Sequence, residues 1–455
     1  MSLFIILRPR AAAVALFVLA GSVAGCTSWQ RVGTPGETNP EQTLTELFNT
    51  TAVYGRLGRL VATGQVPFVG TVAFVAGRAD STLAIIGISL ENRAFAFQRE
   101  GTGYAAKYRV EYEMRRGGAA PVIIGRDETV RVAAFEETLR TDESILLQQN
   151  MTVAPGTYAV TVRIRDIGNT QTGTATRELV APSFPPGSVT SPILAYQVSG
   201  RGTRDDSLPI VLNSRGTVAY GGDTLLVYVE GNGFTGASKV PVQVRDESDS
   251  VIYRDTLRFT GTRPIESQII RLAPDSAPLG QLEIIVGGDT DTRRASALVS
   301  FSQSWVVTNF DDLVALLRYF GHTERVDMLR QARAGDRAQQ WRDFYRATDP
   351  NTGTPENEGL QQYFARLVVA NTRFRDEGIA GWRTDRGEVF IGIGEPDEIF
   401  DASPRQQGRF LVWGYNDLRI RLTFQDQSGF GRYRLTPQSR SDFERARTRV
   451  FRPGT

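Results

Sequence analysis

Among 455 residues there is one cysteine, Cys26, and one histidine, His322. A single thiol excludes an internal disulfide framework. One thiol and one imidazole also exclude zinc fingers, cysteine-rich clusters and histidine-based metal centres. A charge surplus is missing too. Lys+Arg is 52 and Asp+Glu is 50, a net +2, whereas nucleic-acid binders normally carry a concentrated basic excess. Lysine itself is almost absent, with only Lys107 and Lys239, which reflects GC-rich coding more than function. What remains is ordinary: 41% hydrophobic and 22% charged residues. That composition fits a globular protein, and the length suits about three domains.

Residues 1–25 contain no acidic residue, place Arg8 and Arg10 ahead of an apolar run at Ala11–Ala20, and end in Val23-Ala24-Gly25 before Cys26. The run is shorter than the roughly 20 residues needed to span a bilayer, and matches the apolar segment of a signal peptide. The last four residues resemble a bacterial lipobox. That resemblance implies cleavage after residue 25, lipidation of Cys26 and attachment to a membrane through several acyl chains. Thr27, in place of aspartate, implies by analogy an outer-membrane address facing the periplasm or exterior. Loss of Arg8 and Arg10 would leave 50 basic and 50 acidic residues.

Residues 26–38 are polar and contain Gly and Pro, as a tether does. Asn39-Pro40-Glu41-Gln42 reads as a helix start, and apolar spacing from Leu44 to Val61 extends an amphipathic helix over 39–64. Period-2 alternation at Tyr104–Tyr112 and Tyr158–Ile164 predicts a β-sandwich over 65–181, and Pro155-Gly156 before Tyr158 resembles an immunoglobulin-like strand. Pro182, Pro185, Pro186 and Pro192 mark a linker over 182–192. A second sandwich follows over 193–304, in which Pro278-Leu279-Gly280 echoes the turn of the first. From 305 to 455 the pattern becomes helical, then returns to strand at Glu388–Gly394 and beyond. The expected fold is therefore mainly β. Two tandem immunoglobulin-like sandwiches precede an α+β domain made of a helical segment and an antiparallel meander.

That last domain carries Gly381-Trp382-Arg383-Thr384-Asp385-Arg386-Gly387, then Gly394-Glu395-Pro396-Asp397-Glu398. Asp349–Glu358, Trp413-Gly414-Tyr415 and Phe424-Gln425-Asp426 flank them. Together these segments resemble the GWxTD domain family over roughly 305–440. The resemblance implies an exported bacterial protein with β domains ahead of the signature domain, and implies no reaction.

Two readings of the signature stand side by side. In the structural one, Gly381 permits a positive-φ turn, Trp382 is an apolar anchor, Thr384 and Asp385 bond backbone amides, and Gly387 closes a corner before a strand. In the functional one, Asp385, Arg386, Glu395, Asp397 and Glu398 converge on a peptide or on a hard cation such as calcium. Elsewhere the chemistry is thin. His322, at a helix start, lacks a nucleophile elbow. Gly231–Gly236 reads as a hairpin loop, and Asp205 with Asp206 as solvated charge.

These residues favour a lipid-anchored, non-enzymatic envelope module whose C-terminal domain binds a protein or peptide, with no cofactor, metal or nucleic acid. The alternative is a hydrolase of envelope polymers with an acidic site near Asp385 and Asp397.

Overall fold

The alternation at Tyr104–Tyr112 becomes the middle of a 13-residue strand, Gly103–Arg115, in a computed structural model. The structure describes residues 50–140, 143, 145–288, 291–302, 306–353, 357–375, 380–402 and 409–450. The leader, Cys26, the tether and the start of the expected first helix lie outside them. The described chain is mainly β, with a helical and then β-rich C-terminal region.

Gly103–Arg115 lies between Gly156–Asp166 and Val122–Val132 in a six-stranded antiparallel sheet. It faces a four-stranded sheet of Leu60–Val61, Phe68–Ala76, Thr82–Leu90 and Ile145–Val153. Tyr108, Val110, Tyr112, Val160, Val162, Ile86 and Ile88 fill the space between. A second pair of sheets spans Ser188–Ser300 around Val227, Val229, Leu282 and Ile284. All its pairings are antiparallel except Thr217–Ala219, which runs parallel to Arg293–Ser300.

The two sandwiches share a face. In Thr82–Leu90, Ile86 and Ile88 point into the first core, while Ile85 points the other way. Ile85, Ala73 and Val75 pack on Ile193, Ile210, Leu212 and Tyr228 of the second sandwich. Strand geometry sends successive side chains to opposite faces, so one sheet serves two apolar layers. Arg201 and Glu230 are both buried in this seam, and Arg201 also donates to the Ala76 carbonyl at 2.6 Å.

The Pro-rich stretch 182–192 is packed and ordered by specific contacts. Phe184 is buried against Ala76 and Ile265, Thr82 donates its hydroxyl to the Pro182 carbonyl, and Ser188–Val189 joins the edge of the next sheet. The expected helix over 39–64 is shorter within the described residues. Helix α1, Thr50–Arg56, ends at Gly58 with φ +79°, and Leu60–Val61 and Thr63–Gly64 become short strands. Arg59, just beyond α1, donates to Thr71, to the Arg215 carbonyl and to the Ser296 carbonyl, so it ties both sandwiches together.

The C-terminal region begins with α2, Phe310–Leu316, capped by Asn309, which accepts from the Asp311 and Asp312 amides. Then follow α3 (Thr323–Gln331), α4 (Arg337–Ala347) and α5 (Glu358–Arg373), the last capped by Asn357. Next comes α6, Asp385–Ile393. The expected first strand of the meander, Glu388–Gly394, is therefore a helix. The meander that does form runs Glu398–Asp401, Arg409–Tyr415, Ile420–Asp426 and Arg434–Leu435, closed by α7, Pro437–Val450. Trp341, Phe364, Trp382, Trp413, Phe424 and Phe443 form the core. This core joins the second sandwich where Phe301 meets Trp341 edge-on and Arg342 donates to the Gly221 carbonyl.

Candidate functional site

Two close backbone approaches dictate the glycines of the signature. A Cβ on Gly381 would stand 2.2 Å from the Ala370 carbonyl oxygen of α5. One on Gly387 would stand 2.0 Å from the Gly381 carbonyl oxygen. Neither residue has positive φ, so the expected positive-φ turn at Gly381 gives way to a tight crossing of backbones. Gly381–Arg383 forms one 3-10 turn, and Trp382 goes wholly into the core, edge-on to Tyr319.

Thr384 is the cap of α6. Its hydroxyl donates to the Gly381 carbonyl at 2.8 Å and accepts from the Gly387 amide at 3.0 Å, satisfying a donor that the helix start leaves open. Asp385 turns toward the end of the sheet, where one oxygen accepts from the Leu435 amide at 2.7 Å. Arg434 and Arg440 each approach its carboxylate at 3.3 Å, and Arg440 also pairs with Glu388 at 2.7 Å. Burial, then the Glu388 charge, pushes the nearby Tyr319 phenol up to about 12. The Arg386 guanidinium lies over Tyr433, 4.7 Å from its ring centre.

The second motif sits at the other end of α6. Gly394 ends the helix with φ +93°, and its carbonyl accepts from the Tyr415 hydroxyl at 3.0 Å. Pro396 is buried. Asp397 accepts from the Asn416 amide at 2.6 Å, Glu395 pairs with Arg373, and Glu398 is exposed in its strand. A nine-residue helix thus separates Asp385 from Gly394, about 13 Å of axial rise. Paired hydrolytic carboxylates stand about 5–10 Å apart. Asp385 and Asp397 flank opposite ends of α6, and each carboxylate is held by a different backbone amide, that of Leu435 and that of Asn416. Among the described residues no cluster of three or more Asp, Glu, His or Cys is arranged to hold a metal ion.

His322 occupies the cap position of α3 without a capping bond from its side chain. Its pKa is lowered, by burial first and then by Arg325. It lines a cleft of about 540 Å³ with Phe320, Arg325, Tyr363, Arg366 and Ile391. Nothing in the sequence singled out Arg366, since arginine is spread through the whole chain. Asp206, expected to be merely solvated, accepts from the Gly202 and Thr203 amides, and those bonds lower its pKa. Asp205 pairs with Arg78 at the surface. Gly231 and Asn232 end the strand Leu225–Asn232, and the chain turns at Gly233.

Residues 284–446 match the GWxTD domain family model, so the match begins within the second sandwich. No curated protein matches. Solved structures similar to parts of the chain include trypsin-activated alpha-2-macroglobulin from Escherichia coli, at 10% identity and a TM-score of 0.19. That similarity covers 53% of this chain, which spans 17% of the macroglobulin. The calcium-binding domain CBD12 of CALX1.1 is 13% identical over 60% of this chain and 93% of its own, with a TM-score of 0.13. Squid arrestin is 9% identical over 50% of this chain and 98% of its own, with a TM-score of 0.11.

Proposed function

Since residues 284–446 match the GWxTD domain model, we propose that this is a lipid-anchored envelope protein whose stacked sandwiches hold that domain as a non-enzymatic binding module. One observation carries the reading: the polar signature residues are spent on the fold. Thr384 caps α6, Asp385 holds the Leu435 amide and Asp397 holds the Asn416 amide. A motif used this way builds a scaffold, and the surfaces around it are left for recognition.

The sandwiches are read as immunoglobulin-like on one corner, where the Tyr158 hydroxyl donates to the Ala154 carbonyl at 2.9 Å. The lipobox-like Val23-Ala24-Gly25-Cys26 motivates the anchor and an outer-membrane location. Crosslinking in intact cells, followed by identification of captured proteins, tests the module. A recurrent envelope partner lost on removal of the C-terminal domain is the expected result. Repeated absence of any partner would count against it.

A further inference from the structure

We propose that the cleft between α3, α5 and the carboxyl end of α6 binds an organic carboxylate with an apolar body, with Arg366 as its anchor. The proposal deepens the reading of this domain as a binding module and rests on it. The cleft, about 540 Å³, lies within the usual size range of small-molecule sites. Phe320, Tyr363, Ile391 and Val450 give it an apolar lining.

Arg366 is the unusual member. Its side chain is half-buried in the cleft wall, and that partial burial lowers its pKa. Other arginines withdrawn from water have acceptors: Arg201 has Glu230, Arg215 has Ser89 and Glu91, and Arg59 has Thr71 and two carbonyls. Arg366 has no hydrogen bond or ion pair among the described residues. A half-buried guanidinium without a protein acceptor keeps only part of its hydration, and a bound anion would supply the charge-assisted hydrogen bonds it lacks. The guanidinium also lies beside Gly394, 3.2 Å from where a Cβ would be. There the partial negative charge of the α6 terminus offsets only part of that loss.

The lining also selects the kind of anion. Arg325 adds a second positive charge. Burial first, and then Arg325, lower the pKa of His322 and so disfavour a third positive charge in the cleft. Asp349 lines the same cleft, with one oxygen taken by the Asn351 amide. Two cations opposed by one carboxylate favour a monoanion over a phosphate dianion, and the aromatic lining favours an apolar body behind it.

The test is calorimetric titration of the detergent-solubilised full chain, against a detergent blank. The probes are 3-phenylpropionate, 3-phenylpropionamide, inorganic phosphate, and acetyl-Leu-Phe with a free or amidated C-terminus. We expect the carboxylates to bind and both amides to bind at least about tenfold more weakly. The tighter of the two acids identifies a peptide end or a free acid as the source. Arg366→Gln should lose about tenfold with a preserved melting transition, and Arg325→Glu, at an exposed position, should lose severalfold. Equal binding of acid and amide, tighter binding of phosphate, undiminished binding by both variants, or no binding to about 10 mM would each overturn the site. Captured partners without carboxylate binding would remove this site alone. Carboxylate binding without captured partners would instead count against the module.

Discussion

Arg201 and Glu230 form a doubly hydrogen-bonded ion pair, at 2.8 and 2.9 Å, with side chains 1% and 0% exposed. Glu230 also accepts from the Tyr228 hydroxyl at 2.7 Å. The pair lies in the shared face of the two sandwiches. Glu230→Gln leaves a buried guanidinium without its counter-charge, and should cost about 3–5 kcal/mol in denaturant unfolding. Arg201→Met with Glu230→Leu removes both charges and should cost clearly less. A double variant as damaged as the single one would show that packing, not charge balance, sets the penalty.

The crossing of Gly387 over Gly381 has no room for a methyl group. Gly387→Ala should therefore destabilise the protein by about 3 kcal/mol or more, the upper end of overpacking penalties. Gly335→Ala, where a Cβ meets nothing within 4 Å, should change stability by no more than about 0.5 kcal/mol. Paired thermal melts compare the two.

If the signature aspartate is structural, its removal should register as lost stability. Asp385→Ala orphans the Leu435 amide and releases Arg434 and Arg440. The expected loss is about 1.5–3 kcal/mol, as for hydrogen bonds to charged groups. Asp397→Ala, with one amide to release, should lose about 1 kcal/mol. Unchanged unfolding midpoints for both would reopen a functional role for these carboxylates.

Asp426 gives a pH signature. Burial by itself raises its pKa, but bonds from the Ser428 hydroxyl and the Gly431, Gly429 and Ser428 amides outweigh it and hold the carboxyl below its ordinary range. A depressed folded pKa contributes stability that is complete above the unfolded value, about 3.9, and is lost as pH falls through the folded value. The melting temperature of Asp426→Asn should therefore fall less steeply with acid than that of the parent, starting below about pH 4. Parallel curves would remove Asp426 from the acid response.

For the anchor, Cys26→Ser should abolish incorporation of labelled fatty acid and release the protein from washed membranes. Continued retention would point to an uncleaved leader or to the amphipathic segment after the tether.

Half-buried strands were easy to read, because Tyr104–Tyr112 alternates and its polar members face water. The stacking of the sandwiches was not legible. Ala84-Ile85-Ile86-Gly87-Ile88 is apolar on both faces, which marks a buried strand but not what covers it. The same limit explains α6. Val389, Phe390, Ile391, Gly392 and Ile393 are all buried, so the helix has no polar stripe to betray its period. Its β-branched residues at alternate positions read as a strand. Thr384 was legible as a residue that bonds backbone amides, though the element it caps was not. Arg366 left no trace in the sequence, because what distinguishes it is a missing acceptor.

The doubly covered sheet also sets a clock. Ile85 packs in one layer with Ile193, Ile210, Leu212 and Tyr228, so its outer face is not fully covered until roughly 110 to 140 further residues have been made. At about 5–20 residues per second, a ribosome leaves that apolar surface uncovered for on the order of ten seconds. A nascent chain of this design gives a chaperone or an export factor that long to bind Ala73, Val75 and Ile85, and a chain stopped near residue 181 would present the same surface permanently.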